Sequence, residues 1–446
     1  MPRRVPTLAS MIVAALWAVS AAGAHAQSLQ EVYEAARAYD ASYLAARALA
    51  ESAQYRLEQT RALQRPNASL TSSAAHTETD PRPTQLNPSG SRLGATNIGA
   101  TVTGRQPLFN RANDVTVEQA ERTFESSRAD LQTAEHDLIV RVAQAYFDVL
   151  TSQDALAAAQ ADKKATGEQL ASARRNFEVG TATITDTREA QARFDLGTAR
   201  EIAAENDLRT KRIALDQLVG RPNIEPRPLA VPVALPALGP DSVEAWVAPS
   251  QTAHPAVRRA ELAFEVARLE TEKARAGRLP TVDAVGSMGA NHSNGRGATL
   301  QGTTTSASLG VQLNWPFYTG NAVQNRIRET VLLEERSRND LDAARRTVAQ
   351  NTRVAFFGVQ SGQAQARALE AAESSSRLAL EATQLGYRVG VRVNLDVLNA
   401  QTQLFNTQRD LSRARYDVLV ASLRLRQAAG TLQPTDVNAL SALLAK

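Results

Sequence analysis

Tyr387-Arg388-Val389-Gly390-Val391-Arg392-Val393-Asn394-Leu395-Asp396-Val397-Leu398-Asn399-Ala400-Gln401 has a counterpart 210 positions earlier, Phe177-Glu178-Val179-Gly180-Thr181-Ala182-Thr183-Ile184-Thr185-Asp186-Thr187-Arg188-Glu189-Ala190-Gln191. An aromatic residue, a Val-Gly pair, an Asp and an Ala-Gln pair recur in register. The same shift places Ala145-Tyr146-Phe147 on Ala355-Phe356-Phe357, Asp207 on Asp417 and Gly220 on Gly430, and it holds without a gap between residues 131–220 and 341–430. Upstream, Pro107-Leu108-Phe109 corresponds to Pro316-Phe317-Tyr318 and Pro66 to Pro280, with offsets of 209 and 214, so the length changes fall in loops. Each copy has one order: a helical run, two short alternating segments, a very long helical run, a Gly-containing break, and a shorter returning helix. A duplicated unit of this kind predicts a quasi-symmetric assembly in which each copy supplies equivalent wall elements.

The boundaries that follow are a first repeat over 27–220, with strands near 66–76 and 96–108, a long helix over 111–178 and a returning helix over 186–219. A Pro-rich link with a short helix covers 221–254. The second repeat covers 255–430, with strands near 280–291 and 304–317, a long helix over 321–387 and a returning helix over 394–429, before a C-terminal segment at 431–446 with a last helix over 435–445. Helices over 28–64 and 255–277 precede the strands. From Arg111 to Phe177 there is no Pro and one Gly, Gly167, so a helix of about 65 residues would extend roughly 100 Å. That length calls for a coiled-coil or tubular setting. Val397, Leu404, Leu411, Val418 and Leu425 recur every seven residues, with Ala400, Thr407, Ala414, Ala421 and Ala428 three places on. Phe194, Leu208 and Leu215 are the first-repeat equivalents. Seams of large against small residues let helices pack closely side by side.

The alternating segments carry a membrane argument. Val282, Ala284, Gly286, Met288 and Ala290 fall on one face of a strand; Thr281, Asp283, Val285, Ser287 and Gly289 fall on the other. Ala307, Leu309, Val311, Leu313 and Trp315 oppose Ser308, Gly310, Gln312 and Asn314, while Ile98, Ala100 and Val102 oppose Asn97, Gly99, Thr101, Thr103 and Arg105. Ala68, Leu70 and Ala74 likewise oppose Asn67, Ser69, Thr71 and Ser73. Period-two patterning gives each strand one apolar and one polar face, and about 10 residues is the length of a tilted strand crossing a bilayer. Trp315, beside Pro316 and Tyr318, suits an interfacial aromatic girdle. Asp80 to Ser91 and Asn294 to Gly302 are the hairpin loops. Four strands cannot close a barrel, and open edges are not tolerated in lipid. Strands pooled from three copies would make twelve, wide enough to conduct something large.

The chain has 446 residues, 43% hydrophobic, enough for a sizeable core. Arg3 and Arg4, an apolar stretch from Leu8 to Ala22, and Ala24-His25-Ala26 ahead of Gln27 make a secretory signal over 1–26, so the mature protein is expected to start near Gln27. No other stretch is long and apolar enough for a spanning helix. With no cysteine, disulfides, thiolate metal sites, a Cys nucleophile and acylation of an N-terminal Cys are excluded. The net charge of +4 is spread over helices where Arg, Glu and Asp alternate, which reads as solvated faces and not as a nucleic-acid surface. His25, His76, His136, His254 and His292 are scattered, without metal-ligand spacing. No phosphate loop, nucleophile elbow or paired-carboxylate site is present. The chain therefore reads as a non-enzyme with no cofactor and no metal.

The signal, the duplicated helix-strand-strand-helix order and the stretch Tyr387 to Ala400, with its partner Phe177-Glu178-Val179-Gly180 to Asp186, resemble the TolC-like outer membrane efflux proteins over 27–446. The resemblance implies a mainly helical chain with membrane β structure: a homotrimer with a twelve-stranded outer membrane barrel, four strands per chain, continuous with a long periplasmic α-helical barrel. It implies a channel-tunnel for type I protein secretion or multidrug efflux in a Gram-negative outer membrane. The duct would contact outer membrane lipid and work with a periplasmic adaptor (membrane fusion protein) and an inner membrane ABC or RND transporter. A component of a dedicated drug or metal efflux pump is the alternative within the family, and a trimeric surface fibre or adhesin the alternative outside it. By the same resemblance Tyr387 and Arg392 would bond Thr185 and Asp186 to hold a periplasmic gate, Asp396 and Asn399 would stand at the pore constriction, and the turns Val179-Gly180 and Val389-Gly390 would be the adaptor-docking tip. Asn399 departs from the family pattern, which has a second Asp there, so three carboxylates would ring the pore in place of six.

Overall fold

The computed structural model describes residues 26–80, 82–83, 85, 92–230, 233, 235–296, 298 and 300–445. Most of the 1–26 signal, much of the 80–91 loop, and residues 231, 232 and 234 of the Pro-rich link lie outside them. The described elements are helices α1 (Leu29–Tyr39) and α2 (Ala41–Arg61), strands β1 (Asn67–Thr79) and β2 (Leu93–Phe109), helices α3 (Arg111–Glu178), α4 (Ile184–Val219), α5 (Val243–Ala253) and α6 (Pro255–Ala276), strands β3 (Thr281–Asn294) and β4 (Gly302–Asn314), and helices α7 (Ala322–Arg388), α8 (Asn394–Ala428) and α9 (Pro434–Ser441). Among the described residues no helix is long and apolar enough to cross a membrane. The elements group into two compact units, one of Met1–Arg47, Leu131–Val257 and Arg345–Lys446, the other of Ala48–Asp130 and Arg258–Ala344. Each repeat contributes to both, so the compact units cut across the duplication.

The second unit holds the sheet, which is antiparallel in the order β1-β2-β3-β4. Its register sets like faces together: Leu70 pairs Val102, Val102 pairs Met288 and Met288 pairs Ala307, while Gly286 pairs Leu309 and Ala284 pairs Val311. One face is therefore mainly apolar and exposed, with Leu309 at 89% and Leu70 at 69% of full accessibility, and it turns polar toward the hairpin ends, where His76 pairs Thr96 and His292 pairs Thr303. The other face pairs Ser69 with Thr103, Thr103 with Ser287 and Ser287 with Ser308. There the two serine hydroxyls lie 2.8 Å apart, and Arg105 meets Asp283 at 2.6 Å. The strands run past the sequence expectation at five of their eight ends, while β1 and β3 begin one residue later than expected, at Asn67 and Thr281. β4 stops at Asn314, short of 317, and Pro316 lacks the N–H that would continue a ladder. Leu108 bulges from β2 next to Pro107, where a missing donor costs no ladder bond. Trp315 lies just past β4 with its indole N–H donating to the Arg278 carbonyl at 3.3 Å; its ring and those of Phe317 and Tyr318 stay exposed.

The first unit is built on helix packing. Tyr146, Phe147, Leu138, Leu150 and Leu215 are fully buried in one core with Leu29 and Tyr33 of α1. Tyr146 and Phe147 meet edge to face at 5.5 Å, and Phe356 and Phe357 repeat that geometry at 5.5 Å. The duplication is not strict, however: Phe147 stacks on Tyr416, while Phe357 faces solvent. All five heptad positions, Val397, Leu404, Leu411, Val418 and Leu425, are buried on α8, as the seven-residue spacing requires. The helix expected over 28–64 breaks at Asp40. Its carboxylate accepts from the Tyr43 N–H at 2.8 Å, capping α2, and takes two bonds from Arg141. Burial pushes the Asp40 carboxyl upward, but the hydrogen bonds from Arg141, Ser42 and Tyr43 outweigh it and hold the group below its ordinary value.

Candidate functional site

The two Gly-containing breaks are the same turn built twice. Gly180 and Gly390 take left-handed φ of 77° and 80°. The following N–H reaches back five residues, from Thr181 to the Asn176 carbonyl at 2.8 Å and from Val391 to the Gly386 carbonyl at 2.9 Å. Those bonds satisfy carbonyls that α3 and α7 leave open at their ends. Val179, Val389 and Val391 project into solvent. Nothing surrounds a Cβ built on Gly180 or Gly390, so the backbone conformation alone, and not space, favours glycine there.

After each turn the two repeats diverge. In the first, Thr183 caps α4 and shares a capping box with Asp186, whose carboxylate accepts from the Thr183 N–H at 2.9 Å and hydroxyl at 2.7 Å. In the second, the N-cap is Val393, which has no side-chain oxygen. The equivalent carboxylate, Asp396, lacks that cap partner and faces Arg392 of the turn at 3.6 Å. One residue at the N-cap thus gives equivalent acids two different roles. Gly386 leaves room for the Arg392 side chain, since a Cβ there would come within 2.8 Å of Arg392 Cγ.

Polar side chains tie the repeats to each other. Asn394, with 2% of its surface exposed, accepts a short bond from the Gln169 side-chain amide of α3 and donates to the Asp186 carbonyl of α4 at 3.5 Å. Around it Leu170, Ala173, Ala190 and Leu398 form a buried cluster. Asn176 donates to the Tyr387 hydroxyl at 3.3 Å, and Arg193 donates to the Asn399 side-chain oxygen at 2.8 Å. Within one chain the structure therefore brings Arg392 to Asp396 and Tyr387 to Asn176, and not to Thr185 or to the Asp186 carboxylate. Gln169, Asn176, Arg193, Gly386 and Asn394 were not legible as site residues in the sequence; Asn394 and Gln169 join helices 225 positions apart. Among the described residues no group of metal-ligating side chains occurs.

The family model described as "Outer membrane efflux protein" matches residues 32–221 and again 249–431, once per repeat. The chain belongs to the outer membrane efflux protein family. It is 32% identical over 435 residues to the outer membrane protein TolC of Vibrio cholerae, covering 97% of both chains. It is 31% identical over 441 residues to the proteases secretion protein PrtF of Dickeya chrysanthemi, covering 97% of this chain and 94% of that one. The fold matches the outer membrane protein VceC of Vibrio cholerae with a TM-score of 0.73 at 18% identity, covering 90% of this chain and 96% of that chain. It matches the CmeC outer membrane channel of Campylobacter jejuni with a TM-score of 0.77 at 15% identity, covering 94% and 90%. As an outer membrane efflux protein, the chain places its four strands in the outer membrane and its helical part in the periplasm. The exposed apolar face of the sheet is then the lipid-facing one.

Proposed function

We propose that three copies of this chain form an exit duct for type I secretion or efflux, with twelve strands closing a barrel and α3, α4, α7 and α8 of each copy lining a periplasmic tunnel. The observation that carries this is the open sheet. β1 and β4 are edge strands of 13 residues, exposed at every position, and such edges must be paired within lipid. Relatives named for TolC and for protease secretion favour export of polypeptides through this duct. Opening and energy come from outside the chain, from an inner membrane ABC or RND transporter reached through a periplasmic adaptor. The adaptor docks on the exposed turns Val179-Gly180 and Val389-Gly390, and Trp315 sits at the membrane interface.

Arg392 and Tyr387 hold the closed state with Thr185 and Asp186, and Asp396 and Asn399 mark the constriction. Arg392 has a competing acceptor in Asp396, and Asp186 a competing donor in Thr183, so closure is an exchange of partners. A helix end with two alternative pairings of similar worth is suited to a two-state gate. Deleting the gene and measuring secreted type I substrates, together with sensitivity to dyes and detergents, tests the reading. Loss of secretion restored by the intact gene is expected. Unchanged secretion and unchanged sensitivity would contradict it.

A further inference from the structure

The position where a second acidic ring would stand carries a cation. Asn399 of α8 accepts from Arg193 of α4 at 2.8 Å. The two helix starts are pinned together by the Asn394 bond to the Asp186 carbonyl and by Ala190 and Leu398, both fully buried in one cluster. An amide oxygen orients a guanidinium but cannot neutralise it. Arg193 also lies near enough to Asp162 of α3 for its charge to act on that carboxylate, yet Asp162 already faces Arg200 at 3.4 Å. One level nearer the turn, Arg392 accompanies Asp396, and the Asp186 carboxylate is spent on its own helix cap. Each chain thus brings the carboxylates of Asp396 and Asp186, the latter still charged within its neutral cap bonds, against two guanidiniums, and Arg193 is the cation beside Asn399 at the second level.

We propose that Arg193 sets the ion selectivity of the duct: oriented by Asn399, it makes the second level of the constriction cationic, so that multivalent cations are disfavoured and small anions admitted. Summed ring charge in a narrow pore decides which ions concentrate there. The inference rests on the reading that Asp396 and Asn399 stand at the constriction.

The test uses the purified full-length protein in planar bilayers, with block by La3+ and the reversal potential in a KCl gradient as readouts. Arg193→Gln should strengthen block about tenfold and move the reversal potential toward K+, the order expected when one positive charge per subunit is removed within a Debye length of a multivalent ion. Arg193→Lys, which keeps the charge, should stay near wild type. Asn399→Asp should strengthen block less when Arg193 is present than in the Arg193→Gln background. Should Arg193→Gln match wild type while Asp396→Asn weakens block, the role of Arg193 is overturned and the constriction stands. Should Arg193→Gln act while Asp396→Asn does not, Arg193 is supported and the placement of Asp396 fails. No effect from either overturns both.

Discussion

Asn394→Ala is expected to open the duct more than removal of the exposed gate cation, and the structure sets the order of magnitude. Asn394 is 2% exposed and takes the Gln169 amide as a donor. Deleting it leaves the half-buried Gln169 amide between α3 and α8 without that acceptor, a loss of about 1 kcal/mol per chain, the low end for a stranded donor. The second bond, to Asp186 at 3.5 Å, is long and adds little. The Arg392 guanidinium, by contrast, is 61% exposed, and an ion pair that open to water contributes about 0–1 kcal/mol whichever carboxylate it meets. If opening parts the start of α8 from α3 and three chains open together, the Asn394 loss, multiplied by three, shifts the closed-to-open balance by about two powers of ten. The assay is single-channel conductance in planar bilayers, with unheated gel mobility confirming assembly. Gln169→Ala removes the same bond from the other side, so the double variant should open little further than either single one. Wild-type conductance in both single variants, with assembly intact, would refute the reasoning and place the closing contacts elsewhere.

Arg392→Ser should raise conductance modestly, and adding Tyr387→Phe should raise it further, as the tip loses contacts in both repeats; equal conductance in wild type and double variant would remove these residues from the gate. Gly220→Ala should prevent assembly, because its Cβ would fall 2.4 Å from the Tyr39 ring at a φ of 71°, whereas Gly180→Asn, with open space around it, should assemble normally on an unheated gel. Burial holds the His136 and His254 imidazoles below their ordinary values, and His136 further opposes protonation of its neighbour His254. The unfolded chain therefore binds more protons than the folded one below about pH 6.5, so their stabilisation is complete above that pH and is lost on acidification, by up to about 1.4 kcal/mol per pH unit for each ring. The thermal midpoint should fall from pH 7 to pH 5, and His136→Gln should reduce that slope; a slope unchanged by the substitution would rule this pair out as its source.

Periodicity and duplication made the fold legible because both are local signals. Alternation in Thr281 to Ala290 assigned each strand residue to its face, and the register pairs those faces as the parity requires. The seven-residue spacing on α8 marked the buried seam for the same reason. The break at Asp40 was hidden, since an Asp in a helical pattern becomes a cap only when Arg141, about a hundred residues away, fixes its carboxylate. The proximity of His136 and His254 was equally hidden by the distance between them in the chain. At the tip the sequence marked equivalent positions, but equivalence did not imply equal roles: Thr183 or Val393 at the N-cap decides whether the acid three residues on serves the helix or faces Arg392. Arg193 and Asn399 are brought together by helix packing alone, which no spacing rule records.

Completion of the four strands of each chain by neighbouring copies is tested most directly by the mass of the detergent-solubilised protein. Native mass spectrometry should show a trimer of the mature chain that persists on unheated SDS gels and dissociates on boiling. A stable monomer, with the β1 and β4 edges left open, would contradict the account.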